Sequence, residues 1–304
     1  YDHMSAKNVA LSLNAAAVRE GYADLFARAA QRISALCKGG HEFHTQSLAM
    51  MVNSYVKKSY RDKELYESMA NVAVRIPAAN FSHQAVAILL NGYSKIYWDP
   101  ALDVQPLFKH LGRVALQLRR EGWDGQGIAL VLNSFARMQV RDEELFRTFS
   151  GYVCDTNDVA FSPQNVANIV NAVAKSGFRD LRLLSRMSEC ARAVPVDGFE
   201  PQAISNILNG YSRLEVEDPP LFAHLCEATM RCAIPSLSAQ GIANTVNALA
   251  KFNYKHERLL THVADAVSRV LIPAALTRGE ATGARGFDPQ AVANIANAYA
   301  RLDV

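Results

Sequence analysis

Half of the 304 residues are hydrophobic, which is enough to build an extended core, but no apolar run approaches the roughly 20 residues that cross a bilayer. The formal net charge of +3 is only mildly basic, so the chain is not a histone-like polycation and the location of its charges matters more than their sum. The 5 cysteines are odd in number and show no Cys-x-x-Cys spacing, which predicts reduced thiols packed in a core.

A segment of about fifteen residues recurs eight times along the chain. Its strongest copies, at 161–175, 199–213 and 287–301, are FSPQNVANIVNAVAK, FEPQAISNILNGYSR and FDPQAVANIANAYAR. The copies begin near residues 4, 43, 81, 123, 161, 199, 237 and 287. A repeat of this kind decides the architecture before any propensity argument does.

The glutamine near the start of each copy marks the period. These markers are Lys7, which replaces the glutamine in the first copy, then Gln46, Gln84, Gln126, Gln164, Gln202, Gln240 and Gln290. The commonest interval between them is 38 residues, which accommodates two helices and two short turns. The longer intervals predict insertions near 97–106 and at about 274–286, the second of which we expect to be an exposed loop.

A second helix follows each copy of the motif. An acid or proline before its first apolar pair marks its start, as at Asp62, Asp142, Asp180 and Pro219-Pro220, and an aspartate there can cap the helix. An Ile-Pro or Val-Pro pair ends it, because proline cannot continue a helix. These pairs are Ile76-Pro77, Val194-Pro195, Ile234-Pro235 and Ile272-Pro273.

These patterns predict an all-α fold, an α-solenoid of about seven helical hairpins with a terminal half hairpin. One hairpin cannot bury its own apolar face, but a row of hairpins can. We therefore expect residues 1–304 to form a single array. Because the chain stops midway through a repeat, we also expect both ends to continue in a longer protein.

Positions within each first helix are counted here from the marker as zero. Positions two, five, six and nine are apolar in nearly every copy and predict a buried stripe. Position nine therefore belongs to the core, and we do not expect its aromatic rings to stack on bases. The aromatic residues at position nine are Tyr55, Tyr93, Phe135, Tyr211 and Tyr299.

Positions zero, four, seven and eleven lie within about 60° of one another on the opposite side of the helix. Position eleven, the basic row, comprises Lys57, Lys95, Arg137, Lys175, Arg213, Lys251 and Arg301. Position seven, the asparagine row, comprises Asn14, Asn53, Asn91, Asn133, Asn171, Asn209, Asn247 and Asn297. Position four is apolar in the earlier copies and then becomes Asn168, Asn206, Asn244 and Asn294.

Two interpretations of this face are open. In the structural one, the amides bond to the backbone of the neighbouring repeat and the base lies near a helix C-terminus, where the helix dipole favours it. In the functional interpretation, the lysine and arginine side chains bind phosphates, and the amides bind nucleobase edges or ribose of an extended single-stranded RNA. Asparagine is a poor residue for a helix interior, so its presence in all eight copies needs a reason.

The pattern PQxxANxxNAxAK at a 38-residue period resembles the octotricopeptide repeats of algal organelles and the related heptatricopeptide repeats that often precede a RAP domain. Octotricopeptide repeats commonly have Trp where these copies have Asn at position seven, which favours the heptatricopeptide branch. The resemblance implies an organellar RNA-binding protein located in the mitochondrial matrix, or alternatively in a plastid, that holds ribosomal RNA or acts in RNA maturation or stability. It implies single-stranded or ribosomal RNA as the ligand, and other subunits of a ribonucleoprotein, such as the mitochondrial ribosome, as partners.

We expect no enzymatic activity, no metal, no cofactor and no small-molecule substrate. His41 and His44 are three residues apart but have no third ligand at a plausible spacing. The chain also contains no P-loop, no Gly-rich dinucleotide turn and no GxSxG motif. The competing hypothesis is a protein-interaction scaffold of a large mitochondrial complex.

Overall fold

The computed structural model describes residues 3–96, 99–155, 160–268 and 289–303. Within these ranges the chain forms α-helices and short 3-10 helices, without strands, which confirms the predicted all-α fold. The α-helices are α1 Ala6–Ala16, α2 Ala23–Lys38, α3 Thr45–Lys57, α4 Lys63–Arg75, α5 His83–Tyr93, α6 Gln105–Gln117, α7 Gly125–Arg137, α8 Glu143–Cys154, α9 Pro163–Ser176, α10 Leu181–Arg192, α11 Pro201–Leu214, α12 Pro219–Arg231, α13 Ala239–Lys251, α14 Glu257–Ala266 and α15 Pro289–Leu302.

The chain divides into two compact units, Tyr1–Tyr152 (unit 1) and Val153–Val304 (unit 2). In unit 1, the first helices of successive hairpins (α1, α3, α5 and α7) pack side by side, and α2, α4 and α6 form a second layer. In unit 2, α9, α11, α13 and α15 form one layer, and α10, α12 and α14 form the other. Each unit is thus a helical-repeat stack, and one array over 1–304 stays a prediction.

The predicted caps of the second helices are present. The carboxylates of Asp62, Asp142 and Asp218 each accept the backbone N–H three residues ahead at 3.0 Å, and Asp180 accepts two such groups. Short 3-10 helices, which the sequence did not predict, follow four of the second helices. They are Ala78–Asn80, Arg120–Gly122, Val196–Gly198 and Ile234–Ser236. The Ile272-Pro273 stop and the 274–286 insertion lie outside the described residues.

Position nine of the first helices lies in the core, as predicted, and where it is tyrosine its hydroxyl also bonds to the preceding hairpin. Tyr55 donates its hydroxyl to the carbonyl of Phe26 at 3.0 Å, and Tyr93 donates to that of Tyr66 at 2.8 Å. In unit 2, Tyr211 donates to Leu184 at 2.5 Å and Tyr299 to Leu260 at 2.6 Å. The acceptor always lies in the preceding second helix, so the same bond recurs along each unit.

Close packing of adjacent first helices depends on small residues at position eight. A Cβ added at Gly92 would lie 2.6 Å from Cγ1 of Val52, and one added at Gly210 would lie 2.4 Å from Cγ1 of Val170. Both valines occupy position six of the preceding first helix. Such small residues let neighbouring helices approach, so that their exposed faces stay close together.

All five cysteines are free thiols. Cys226 is buried, whereas Cys37, Cys154, Cys190 and Cys232 are half-buried, so the prediction of core thiols holds best for Cys226. Burial raises the pKa of Cys226 to about 12 and that of Cys37 to about 11. These two thiols therefore stay protonated at neutral pH, which makes them poor nucleophiles.

Candidate nucleic-acid interface

The predicted rows all lie on the accessible side of the first helices. The seven glutamines at position zero and the seven bases at position eleven are exposed. The asparagine row is half-buried in the six interior copies and exposed at Asn14 and Asn297. The half-buried asparagines are Asn53, Asn91, Asn133, Asn171, Asn209 and Asn247. Each unit therefore carries its own polar, cationic face.

The amides of this face do not fasten neighbouring repeats together. Within the described ranges, none of the six half-buried asparagines at position seven makes a side-chain hydrogen bond, and none has a fully buried amide atom without a partner. The amide contact on this face is between Gln164 and Asn168 of the same helix, with Nε2 donating to Oδ1 at 3.2 Å. The bonds to neighbouring backbone proposed in the structural interpretation are therefore not formed by the asparagine row, whose amides remain available to a ligand.

In unit 1 the basic row is not neutralised. No ion pair joins Lys57, Lys95 or Arg137 to a carboxylate in the part of the chain that the structure describes. Partial loss of hydration, followed by repulsion from Arg137 and Lys57, lowers the pKa of Lys95. Lys95 is thus near enough to Arg137 and Lys57 to be repelled by both, and the three cations form a positively charged patch without a counter-ion among the described residues.

In unit 2 the basic row is partly neutralised. Nζ of Lys251 lies 3.1 Å from Oε1 of Glu215, with the two side chains 37% and 74% exposed. Glu215 follows α11 in the left-handed region, with φ of 57°, which places it beside the end of the next first helix. No described carboxylate pairs with Arg213. An exposed pair such as Lys251–Glu215 contributes little stability, about 0–1 kcal/mol, and screens one of the row's charges.

The other ion pairs that the structure describes between Lys or Arg and a carboxylate lie on the second helices or their flanking residues. In unit 1 they are Arg28–Asp24, Lys38–Glu64, Lys63–Glu67 and Arg147–Glu143. In unit 2 they are Arg182–Asp155, Arg186–Glu189 and Arg258–Glu227. These pairs offset part of the charge on the second helices, whereas Lys57, Lys95, Arg137 and Arg213 on the first-helix layer have no carboxylate partner among the described residues. The face that carries the amides is therefore positively charged.

Position four differs between the units. In unit 1 it is apolar and accessible: Leu11 is 49% exposed, and Met50, Ile88 and Leu130 are half-buried. Ile88 and Leu130 line a groove of about 160 Å³ between α5 and α7, together with Gln84 and Gln126. In unit 2 the same position holds Asn168, Asn206 and Asn244, all half-buried, and the exposed Asn294. The two faces thus share the asparagine row and the basic row but differ at position four.

A larger groove of about 740 Å³ lies in unit 1 beside the start of α3 and includes His41, His44 and Cys37. His44 immediately precedes α3, and its side chain makes no capping hydrogen bond. In the described part of the chain, no group of three or more His, Cys, Asp or Glu side chains could hold a metal ion. The expectation that the protein is not an enzyme stays a prediction.

Among the described residues, no helix is both long enough and apolar enough to cross a membrane. A family model described as RNA-editing substrate-binding complex 6 protein matches residues 75–303, about three quarters of the chain. No curated protein matches the chain. The octotricopeptide and heptatricopeptide resemblance is not confirmed by these comparisons, although an RNA-associated family of helical proteins is.

Proposed function

Because the chain belongs to the family of RNA-editing substrate-binding complex 6 proteins, we propose that it binds single-stranded RNA through the faces of its first helices. The observation that carries the proposal is the unneutralised part of the basic row in unit 1: Lys57, Lys95 and Arg137. Lys95 is repelled by Arg137 and Lys57 in the free protein, and a bound phosphate would offset that repulsion. A polyanion is therefore the ligand that this patch favours.

RNA would be held by two kinds of contact. Lysine and arginine at position eleven bond phosphate oxygens, which fixes the strand without reading its sequence. The amides at position seven, one helical turn away, reach the sugar or the base edge. Gln164 and its counterparts at position zero lie on the same exposed face. This assignment gives roles to the basic row, including Arg213 and Arg301, and to the asparagine row.

The biological setting follows from the family and from the repeat resemblance. The family's description names an RNA-editing substrate-binding complex, and this favours a multi-subunit complex acting on transcripts over the ribosomal RNA and ribosomal subunits expected from the resemblance. The resemblance adds the mitochondrial matrix as the compartment. The protein would therefore be an organellar RNA-binding subunit of such a complex.

Salt dependence of RNA affinity tests the proposal. We expect log Kd for a 20-nucleotide RNA to rise steeply with log salt, by about 0.7 per phosphate contact. The triple variant Lys57→Glu, Lys95→Glu, Arg137→Glu should lose affinity by at least about a hundredfold, because each lost hydrogen bond to a charged group contributes about 1.5–3 kcal/mol. Its salt slope should be shallower by about 2.

A matched variant with the same change of net charge provides the control. Arg28→Glu, Lys38→Glu, Arg147→Glu reverses three exposed bases that lie on second helices and already have acidic neighbours. We expect its RNA affinity to fall by no more than a few-fold. Equal losses in both variants, or no RNA binding by the unmodified protein, would favour the scaffold hypothesis.

A further inference from the structure

The change at position four coincides with the division of the chain into two units. Every copy in unit 1 has an apolar residue there, namely Leu11, Met50, Ile88 and Leu130, and every copy in unit 2 has asparagine. The buried positions around it are apolar in both units, so the switch does not follow from packing. Leucine is also a better helix former than asparagine, by a few tenths of a kcal/mol up to about 0.7, so helix stability does not favour the switch.

Positions four and seven lie three residues apart on one helix face, which places their side chains next to each other. In α9 this pair is Asn168 and Asn171, in α11 Asn206 and Asn209, and in α13 Asn244 and Asn247. All six side chains are half-buried, and the described residues provide them no hydrogen bond beyond that from Gln164 to Asn168. Each helix therefore presents two adjacent amides, with donors and acceptors side by side.

Two adjacent amides can contact more of a base edge than one amide beside an aliphatic group. An asparagine amide pairs bidentately with a base edge that offers a matching donor and acceptor, and it leaves buried polar groups unpaired when the wrong base is presented. Leu130 or Ile88 can contact any base or sugar equally well, because apolar contact does not distinguish donor from acceptor patterns. The unit 2 pattern, with two amides per helix, therefore discriminates between bases more strongly than the unit 1 pattern, with one.

The basic row lies at a suitable distance from these amides. Position eleven is seven residues from position four, or about 10 Å along a helix that rises 1.5 Å per residue. Arg213 can therefore hold a phosphate while Asn206 and Asn209 face the base of the same strand. In α9 the contact from Gln164 to Asn168 restrains the amide of Asn168 and leaves its N–H₂ group for a ligand.

We propose that the two units divide the work of RNA binding, with unit 2 supplying most of the selection between bases through its paired asparagines and unit 1 holding RNA mainly through phosphate contacts. This inference rests on the proposed function, because it assigns specificity to the same faces. Asn168, Asn206 and Asn244 are its specificity-determining residues. Asn294, exposed on α15, occupies the same position in the next copy.

The experiment uses the whole chain and measures Kd for 20-nucleotide RNAs of adenine, cytosine and uracil, and for RNAs enriched from a random pool. The variant Asn168→Leu, Asn206→Leu, Asn244→Leu gives unit 2 the residue type found in unit 1. For this variant, we expect the ratio of the largest to the smallest Kd across these RNAs to be at least tenfold lower than for the unmodified protein. Affinity for the weakest RNA should stay within about twofold, because the basic row is unchanged.

Two further variants separate the possible results. The variant Asn168→Ser, Asn206→Ser, Asn244→Ser keeps the positions polar but removes the bidentate amide. It should also lose discrimination between RNAs. It replaces the leucine variant if that variant unfolds. The control Met50→Asn, Ile88→Asn, Leu130→Asn, made in unit 1, should keep or increase the discrimination between RNAs, because it places a second amide beside Asn53, Asn91 and Asn133.

The outcomes distinguish this inference from the proposed function. If the unmodified protein binds no RNA, the proposed function fails. If RNA binds but discrimination persists in both unit 2 variants, or is lost equally in the unit 1 control, RNA binding stands and the division of work between the units is wrong. Equal affinity of the unmodified protein for every RNA also contradicts the division.

Discussion

Unit 1 and unit 2 are built from the same hairpin, yet their accessible faces differ in charge and in hydrogen-bonding capacity. Unit 1 has three basic side chains without carboxylate partners among the described residues, beside an apolar row, whereas unit 2 has Lys251 paired with Glu215 beside a second row of amides. The difference teaches that a helical repeat fixes where side chains point and leaves their chemistry free to diverge. Affinity and selectivity can then reside in separate parts of one chain.

Charge reversal in unit 2 should change RNA affinity more than the other variants that compare the two units. We expect Lys175→Glu, Arg213→Glu, Lys251→Glu to weaken RNA binding on the order of tenfold, less than the same change in unit 1, because Glu215 already offsets the charge of Lys251. Fluorescence anisotropy with one RNA at fixed salt compares the two triple variants directly. A loss in unit 2 as large as that in unit 1 would contradict the difference in charge.

Removing a buried tyrosine hydroxyl tests whether the hairpins of both units are fastened in the same way. Tyr93→Phe in unit 1 and Tyr211→Phe in unit 2 should each lower the free energy of unfolding by about 1 kcal/mol, the usual net contribution of a hydrogen bond. Urea unfolding followed by circular dichroism measures the loss. Phe135, which occupies position nine without a hydroxyl, shows that phenylalanine fits the site.

The same tyrosines predict unfolding at high pH. Burial raises the pKa of Tyr93 and Tyr211, and raises that of Tyr299 to about 12. Since the unfolded chain loses these protons near pH 10 and the folded chain keeps them, stability is fully present below pH 10 and falls as the pH rises above it. The Tyr93→Phe, Tyr211→Phe double variant should lose less stability between pH 9 and pH 11 than the unmodified protein.

Neutralising one acid should have the smallest effect. Glu215→Gln releases Lys251 from its ion pair, so we expect RNA affinity to rise about two- to threefold at low salt, and the gain to disappear at high salt. Glu227→Gln, which releases Arg258 on the second-helix layer, is the matched control and should leave affinity unchanged. A gain of the same size in both would indicate a general effect of net charge.

The repeat itself made much of the fold predictable. Eight aligned copies separate the buried stripe from the polar face, and the acids before each second helix foretell the caps at Asp62 and Asp142. The bond from Tyr211 to Leu184 was not predictable, because its acceptor is a backbone carbonyl that no side chain marks. Nor was the pairing of Lys251 with Glu215, which depends on the left-handed residue after α11. The switch at position four was visible in the sequence, but its coincidence with the unit boundary was not.

The tyrosine bonds to the preceding second helix have an evolutionary consequence. Any residue supplies a main-chain carbonyl, so the acceptor helix is free to change its side chains without weakening the junction, provided that its path is kept. A duplicated hairpin that keeps its tyrosine at position nine therefore carries the hydrogen-bond donor, and any preceding hairpin supplies the acceptor. This asymmetry explains how the first helices of the chain can stay alike while the second helices drift apart.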